Sequence, residues 1–210
     1  MKLQVAIDLL STADALALLN KVAPYVDIIE LGTPLIKEQG LSVVTDVKAA
    51  YPDKLIFADM KTMDAGELEA DLAFKAGADI MTVLGAAPDS TITGAVKAGE
   101  AHGKAVVADM IGVTDKAARM EELKALGVNW VELHSGLDEQ AQPGYSIERL
   151  LEVGRNAHMP FSVAGGVNVE RIGGVESAGA TVAVAGAAIY GAKDPAAAAK
   201  NLREKIKHLG

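Results

Sequence analysis

The chain contains no cysteine, which excludes disulfides, zinc-thiolate sites and thiol catalysis and fits a reducing compartment such as the cytoplasm. Aromatic residues supply only 4% of it, so the core must be built from Val, Ile, Leu and Ala. Positive charge is in deficit: 20 Lys and Arg face 28 Asp and Glu, a formal net charge of -8. Nucleic acid or an anionic membrane surface would favour a basic stripe, so neither is an expected partner. No apolar run approaches the ~20 residues of a membrane span. The opening Met1-Lys2-Leu3-Gln4-Val5-Ala6-Ile7 meets an acid at Asp8, too early for a signal-peptide core.

What is present is organised. The 210 residues are expected to form one domain over 1–210 with a sizeable core. Short apolar runs at residues 3–7, 27–31, 55–58, 79–83, 105–108, 129–133, 161–164 and 181–185 read as strands covered on both faces. Amphipathic, helix-length segments separate them. In the first, Ser11 is a candidate N-cap, and Ala15, Leu18, Leu19 and Val22 form the apolar stripe. One connector recurs as Ala76-Gly77-Ala78-Asp79, Leu126-Gly127-Val128-Asn129 and Ala178-Gly179-Ala180-Thr181, a glycine closing a helix just before a strand. Eight βα units predict an α/β protein of the (β/α)8 barrel class. An open doubly wound sheet would show a glycine-rich dinucleotide turn after the first strand, and Asp8-Leu9-Leu10-Ser11 is none.

In such a barrel the strand C-termini converge on one face, where sites are built. The third run ends in Asp59-Met60-Lys61-Thr62-Met63-Asp64, a D-x-K-x-x-D string whose desolvation cost a packing role seldom justifies. Strand alternation predicts Asp59 and Lys61 aimed together at the barrel axis. Glu30, in an otherwise apolar strand, pairs with Asp59 as candidate ligands for a hard cation, and two carboxylates without clustered histidines favour Mg2+. A strand-end acid in solvent or in an ion pair is the plainer reading of Glu30. Lys61, held charged between acids, suits oxyanion stabilisation or proton delivery. Asp64 lies farther out and would equally suit capping a helix that begins near Ala65. His134, at the end of the sixth run, is the candidate general base. His102, His158 and His208 read as surface residues.

Two glycine turns complete the set. Gly165-Gly166 follows the seventh run and Gly186-Ala187 the eighth, where barrels of this class bind phosphate through backbone N–H groups and a short helix. Asp8 and Asp109 end the first and fifth runs.

These segments resemble the orotidine 5'-monophosphate decarboxylase superfamily, whose hallmark is the D-x-K-x-x-D string at the third strand. The match is closer to its 3-hexulose-6-phosphate synthase branch. It is carried by Val5-Ala6-Ile7-Asp8, Asp27-Ile28-Ile29-Glu30-Leu31-Gly32, Ala58 to Gly66, His134-Ser135-Gly136-Leu137-Asp138-Glu139-Gln140 and Ala164-Gly165-Gly166-Val167-Asn168. The resemblance implies an aldol reaction of formaldehyde with D-ribulose 5-phosphate through a 1,2-enediolate. It implies Mg2+ on Glu30 and Asp59, proton removal by His134, charge stabilisation by Lys61, and sugar hydroxyls on Asp8 and Asp109. It further implies a homodimer in which Asp64 reaches the partner's site. The nearest rival is 3-keto-L-gulonate 6-phosphate decarboxylase, whose members typically carry Arg where Leu137 stands and Thr where Ala164 stands. A catalytically silent sugar-phosphate-binding barrel is the remaining alternative.

Overall fold

Apolar runs without alternation form stable parallel strands only when helices cover one face and a packed interior the other. Eight of them here close into a barrel. The computed structural model describes residues 1–207, and its strands pair in chain order from β1 to β8, with β8 returning to β1 through Lys2↔Val182 and Val5↔Ala185. The strands are β1 (Lys2–Ile7), β2 (Ile28–Leu31), β3 (Leu55–Thr62), β4 (Ile80–Leu84), β5 (Ala105–Asp109), β6 (Trp130–His134), β7 (Phe161–Ala164) and β8 (Val182–Ala185). Between and after them lie α1 (Thr12–Val22), α2 (Thr33–Gln39), α3 (Ser42–Ala50), α4 (Gly66–Ala76), α5 (Asp89–His102), α6 (Lys116–Ala125), α7 (Leu137–Gln140), α8 (Glu148–Arg155), α9 (Ile172–Ser177), α10 (Ala187–Tyr190) and α11 (Pro195–Lys205).

Local signals behave as expected at most positions. The Ser11 side chain accepts the N–H of Asp14 at 3.1 Å, and Ala15, Leu18, Leu19 and Val22 are the buried residues of α1. Gly77, Gly127 and Gly179 adopt φ of 113°, 90° and 91°, the left-handed conformation that lets a helix stop and a strand start after a connection of three or four residues. The residue just before each even-numbered strand is polar and reaches back one strand. Asp27 accepts the N–H of Leu3 (2.8 Å), Asp79 that of Ile56 (2.9 Å) and Asn129 that of Val106 (2.8 Å), while Thr181 donates its hydroxyl to the Phe161 carbonyl (3.0 Å). These four staples satisfy strand ends at the N-terminal face, where barrels of this class keep their stability features.

Two apolar layers sit on either side of the strands. Outward residues such as Val5, Ile29, Ile56, Met81, Val106 and Val131 pack against the helices. Inward residues Ile28, Phe57, Ile80, Val107 and Val182 plug the barrel floor. Above that plug the interior turns polar: Gln4, Glu30, Asp59, Thr82, Asp109, Glu132 and Ser162 are all buried. Seven polar side chains in a barrel interior need an explanation other than packing.

Candidate active site

The polar tier opens into a cavity of about 950 Å³ at the C-terminal face. Asp8, Glu30, Asp59, Lys61 and His134 line it from one side, and Gly165, Gly166, Gly186 and Ala187 from the other. The D-x-K string reaches the cavity by a route that alternation did not predict. β3 runs on past Ala58 through Thr62, and its register against β4 shifts between those two residues. Lys61 sits within the shift at φ 45°, a left-handed conformation costly for a residue with a Cβ. Thr82 of β4 compensates: its hydroxyl accepts the Lys61 N–H at 2.9 Å and donates to Asp59 Oδ1 at 2.9 Å. The bulge therefore aims Lys61 over Asp59, in place of a regular pleat.

One carboxylate oxygen organises the reactive groups. Asp109 Oδ2 accepts from Lys61 Nζ at 2.8 Å and lies 2.9 Å from His134 Nδ1. Lys61 Nζ also donates to Asp59 Oδ2 at 2.8 Å, and Thr33 donates to the same atom at 2.9 Å. Burial works against the Lys61 ammonium, but the charges of Asp59 and Asp109 outweigh it and hold the pKa above the ordinary lysine value. Burial likewise disfavours charge on His134, yet Asp109 and then Glu132 raise its pKa above the usual histidine value. For Asp109 the balance runs the other way: burial is overcome by His134 and Lys61, and its carboxyl stays well below the carboxylate range.

The remaining acids are under-compensated. Burial first, then Glu132 and Asp59, push Glu30 well above its ordinary value. Burial and then Asp109 lift Glu132 to about 7. Four buried carboxylates (Glu30, Asp59, Asp109, Glu132) thus share one ammonium, Lys61, and one imidazole, His134. Gln4 donates to Glu30 Oε2 at 2.7 Å, and among the described residues nothing donates to the other Glu30 oxygen. A carboxylate oxygen without a donor, on a buried residue that lines the cavity beside Asp59 and with negative charge in excess, fits a hard divalent cation. Asp109, Glu132 and His134 also place ligand-type atoms within 4.8 Å of one another. There, however, the histidine nitrogen is already hydrogen-bonded to Asp109, and Asp109 does not line the cavity.

The opposite side is built from backbone. Gly165 and Gly166 take φ of 120° and 78°, and a Cβ on Gly165 would stand 2.7 Å from the Ser135 carbonyl oxygen. Only glycine fits that turn. Tyr145 ties it down by donating to the Gly165 carbonyl at 2.6 Å, and Arg171 donates to the Gly166 carbonyl at 2.8 Å. The short helix α10 begins at Ala187 with Gly186 as its N-cap. The Ile189 and Tyr190 N–H groups donate to the Gly186 carbonyl at 2.8 and 3.1 Å, which leaves those of Ala187 and Ala188 without an intrahelical acceptor, as anion binding requires.

Of the residues singled out from sequence, Asp8, Glu30, Asp59, Lys61, His134, Gly165, Gly166, Gly186 and Ala187 share the cavity. Asp109 lies behind its wall. Asp64 is exposed outside it, accepting only the neighbouring Ala65 N–H. It is not the helix cap either, since the N-cap of α4 is Ala65 at φ 53°. His102 is half-buried and paired with Asp71 at 2.8 Å, His158 is exposed, and His208 lies outside the described residues. Glu132 and Arg171 escaped the sequence reading. Glu132 had a signal: Asn129-Trp130-Val131-Glu132-Leu133 repeats the acid-in-apolar-strand pattern of Asp27-Ile28-Ile29-Glu30-Leu31. His134, two residues on, shares its face.

Residues 1–202 match the model of the orotidine 5'-phosphate decarboxylase / HUMPS family. The chain is 69% identical over 206 residues to the 3-hexulose-6-phosphate synthase of Mycobacterium gastri, covering 98% of this chain and all of that one. A crystal structure of a 3-hexulose-6-phosphate synthase, also 69% identical, superposes with a TM-score of 0.97 over 98% of this chain and 100% of that chain. The 3-keto-L-gulonate-6-phosphate decarboxylase of Vibrio cholerae is more distant, at 29% identity and a TM-score of 0.83 over 97% and 96% of the two chains.

Proposed function

The chain belongs to the orotidine 5'-phosphate decarboxylase / HUMPS family, and on that premise we propose that it is an aldehyde-lyase joining formaldehyde to D-ribulose 5-phosphate. The product is D-arabino-hex-3-ulose 6-phosphate, and the reaction is reversible. The observation that carries this reading is the single Asp109 oxygen that holds Lys61 and His134 together at the edge of a cavity walled by Glu30 and Asp59. An acid–base pair beside excess carboxylates suits chemistry next to a carbonyl, where a proton leaves carbon and charge gathers on oxygen.

The residues take these roles. The Gly165-Gly166 and Gly186-Ala187 turns hold the phosphate, with Arg171 beside them, and this remote binding orients the reacting carbon. Asp8, on the cavity wall, accepts sugar hydroxyls. His134 removes the C1 proton, giving a 1,2-enediolate whose charge the Lys61 ammonium stabilises. C1 then bonds to the formaldehyde carbon, and the resulting alkoxide takes up a proton from this pair, so the proton removed is returned. Glu30 and Asp59 would hold a divalent cation, Mg2+ by their all-oxygen chemistry, which when bound supplies Lewis acidity at the substrate oxygens.

A homodimer belongs to the same reading. Asp64 stands beside Met63, with Leu68 and Leu72 following on α4, and these three apolar side chains are 51%, 61% and 46% exposed. A second subunit covering them would receive Asp64 in its own cavity. One (β/α)8 unit over residues 1–210 carries the whole activity. No helix among the described residues is long and apolar enough to cross a membrane, and with the lack of cysteine this supports a cytoplasmic enzyme.

Formaldehyde consumption with D-ribulose 5-phosphate, measured with Mg2+ and with chelator, tests the proposal. Turnover that the chelator abolishes is the expected result, and its absence would sink the reading. Faster carbon dioxide release from 3-keto-L-gulonate 6-phosphate would transfer the assignment to the decarboxylase.

A further inference from the structure

We infer that Asp109 is a positioning residue that fixes the tautomer of His134, and that it is not a sugar ligand. Its side chain is fully buried and does not line the cavity. Three donors already occupy it: Lys61 Nζ (2.8 Å) and His134 Nδ1 (2.9 Å) on Oδ2, and the Ile111 N–H (2.9 Å) on Oδ1. No sugar hydroxyl has a path to it. A carboxylate can only accept from a neutral imidazole, so the proton must sit on Nδ1. Nε2 is then the nitrogen with a lone pair, on a ring that lines the cavity. Glu132 Oε1, 3.9 Å from Nδ1, adds a second negative group on the same side of the ring. When Nε2 takes a proton, the Asp109 carboxylate faces the imidazolium directly and stabilises it. Because the same oxygen holds Lys61, the base and the ammonium are fixed relative to each other before substrate arrives.

This inference rests on the proposed role of His134 as base, but its primary test needs no turnover. Nitrogen-15 NMR of the wild-type protein, with His134 identified by comparison with His134→Gln, reads the tautomer of the neutral ring. Nδ1–H is expected, whereas free imidazole side chains favour Nε2–H. Asp109→Asn presents an N–H to Nδ1 and should move the proton to Nε2. It should lower kcat on the order of a thousand-fold while KM for the sugar phosphate changes by less than about three-fold. An Nε2–H tautomer in the wild type, or an unchanged tautomer in Asp109→Asn, overturns the assignment. So does a raised KM with kcat retained, which would mark a sugar ligand. If Asp109→Asn does not fold, the wild-type spectrum alone decides. Failure of the aldol assay with a correct Nδ1–H tautomer would count against the proposed reaction and leave the positioning role standing.

Discussion

Replacing Glu132 by Gln should stabilise the metal-free protein at alkaline pH and do little in acid. Glu132 is buried in the barrel, and burial followed by Asp109 raises its pKa from the ordinary 4.5 to about 7. A carboxyl raised on folding binds its proton more tightly in the native state. Its stabilising contribution is therefore complete below pH 4.5 and is lost as pH rises through 7. Each decade of proton affinity is worth about 1.4 kcal/mol, so ionisation of Glu132 costs the folded state about 3 kcal/mol at pH 8 and under about 1 kcal/mol at pH 5. Gln keeps the shape and can still accept the Ser162 hydroxyl, which lies 3.2 Å from Glu132 Oε2, but it never ionises. For a chain of this length, about 3 kcal/mol corresponds to roughly 6–12 °C in Tm. Thermal unfolding followed by circular dichroism in chelator, at pH 5 and pH 8, should show Glu132→Gln melting above wild type by that margin at pH 8 and by about 2–3 °C at pH 5. A Tm difference equal at the two pH values, or a lower Tm for the variant at pH 8, would refute the reasoning.

Four further outcomes follow from the same geometry. Lys61→Ala removes the ammonium from between Asp59 and Asp109 and should cut kcat by about 10²–10³-fold, the scale of losing one preorganised charge stabiliser, in a protein whose circular dichroism stays native; retained activity would disprove its role. Gly165→Ala forces a Cβ to 2.7 Å from the Ser135 carbonyl at φ 120°, so a loss of about 1–3 kcal/mol of stability and a raised KM for the sugar phosphate are expected from melting and steady-state kinetics. Leu68→Glu, at a side chain 61% exposed, should convert the proposed dimer to monomers in size-exclusion chromatography with light scattering and reduce activity with it, while Asp64→Asn should reduce activity and leave the proposed dimer intact.

The sequence by itself determined which runs are strands, because short, continuous apolar runs recurring between amphipathic helix-length segments fit covered parallel strands, although it stopped β3 at Ala58 where the strand continues to Thr62. It also determined the glycine stops and the Ser11 cap, since these depend on a few neighbouring residues. Most site residues were legible for the same reason: topology sends all eight strand ends to one face, so knowing the strand is enough to place Asp8, Glu30, Asp59, His134 and the glycine turns. What a residue does once it arrives depends on groups far apart in the chain, and only the tertiary structure decided it. Asp59 and Lys61 meet through a bulge supported by Thr82 from the next strand, not through the pleat. Asp109 ends its strand as Asp8 does, yet it is sealed behind the cavity wall by Lys61, His134 and Ile111, while Asp8 faces the opening. Glu132 repeats the local pattern of Glu30, but its proton affinity is set by burial and by charges on other strands, which no local window contains.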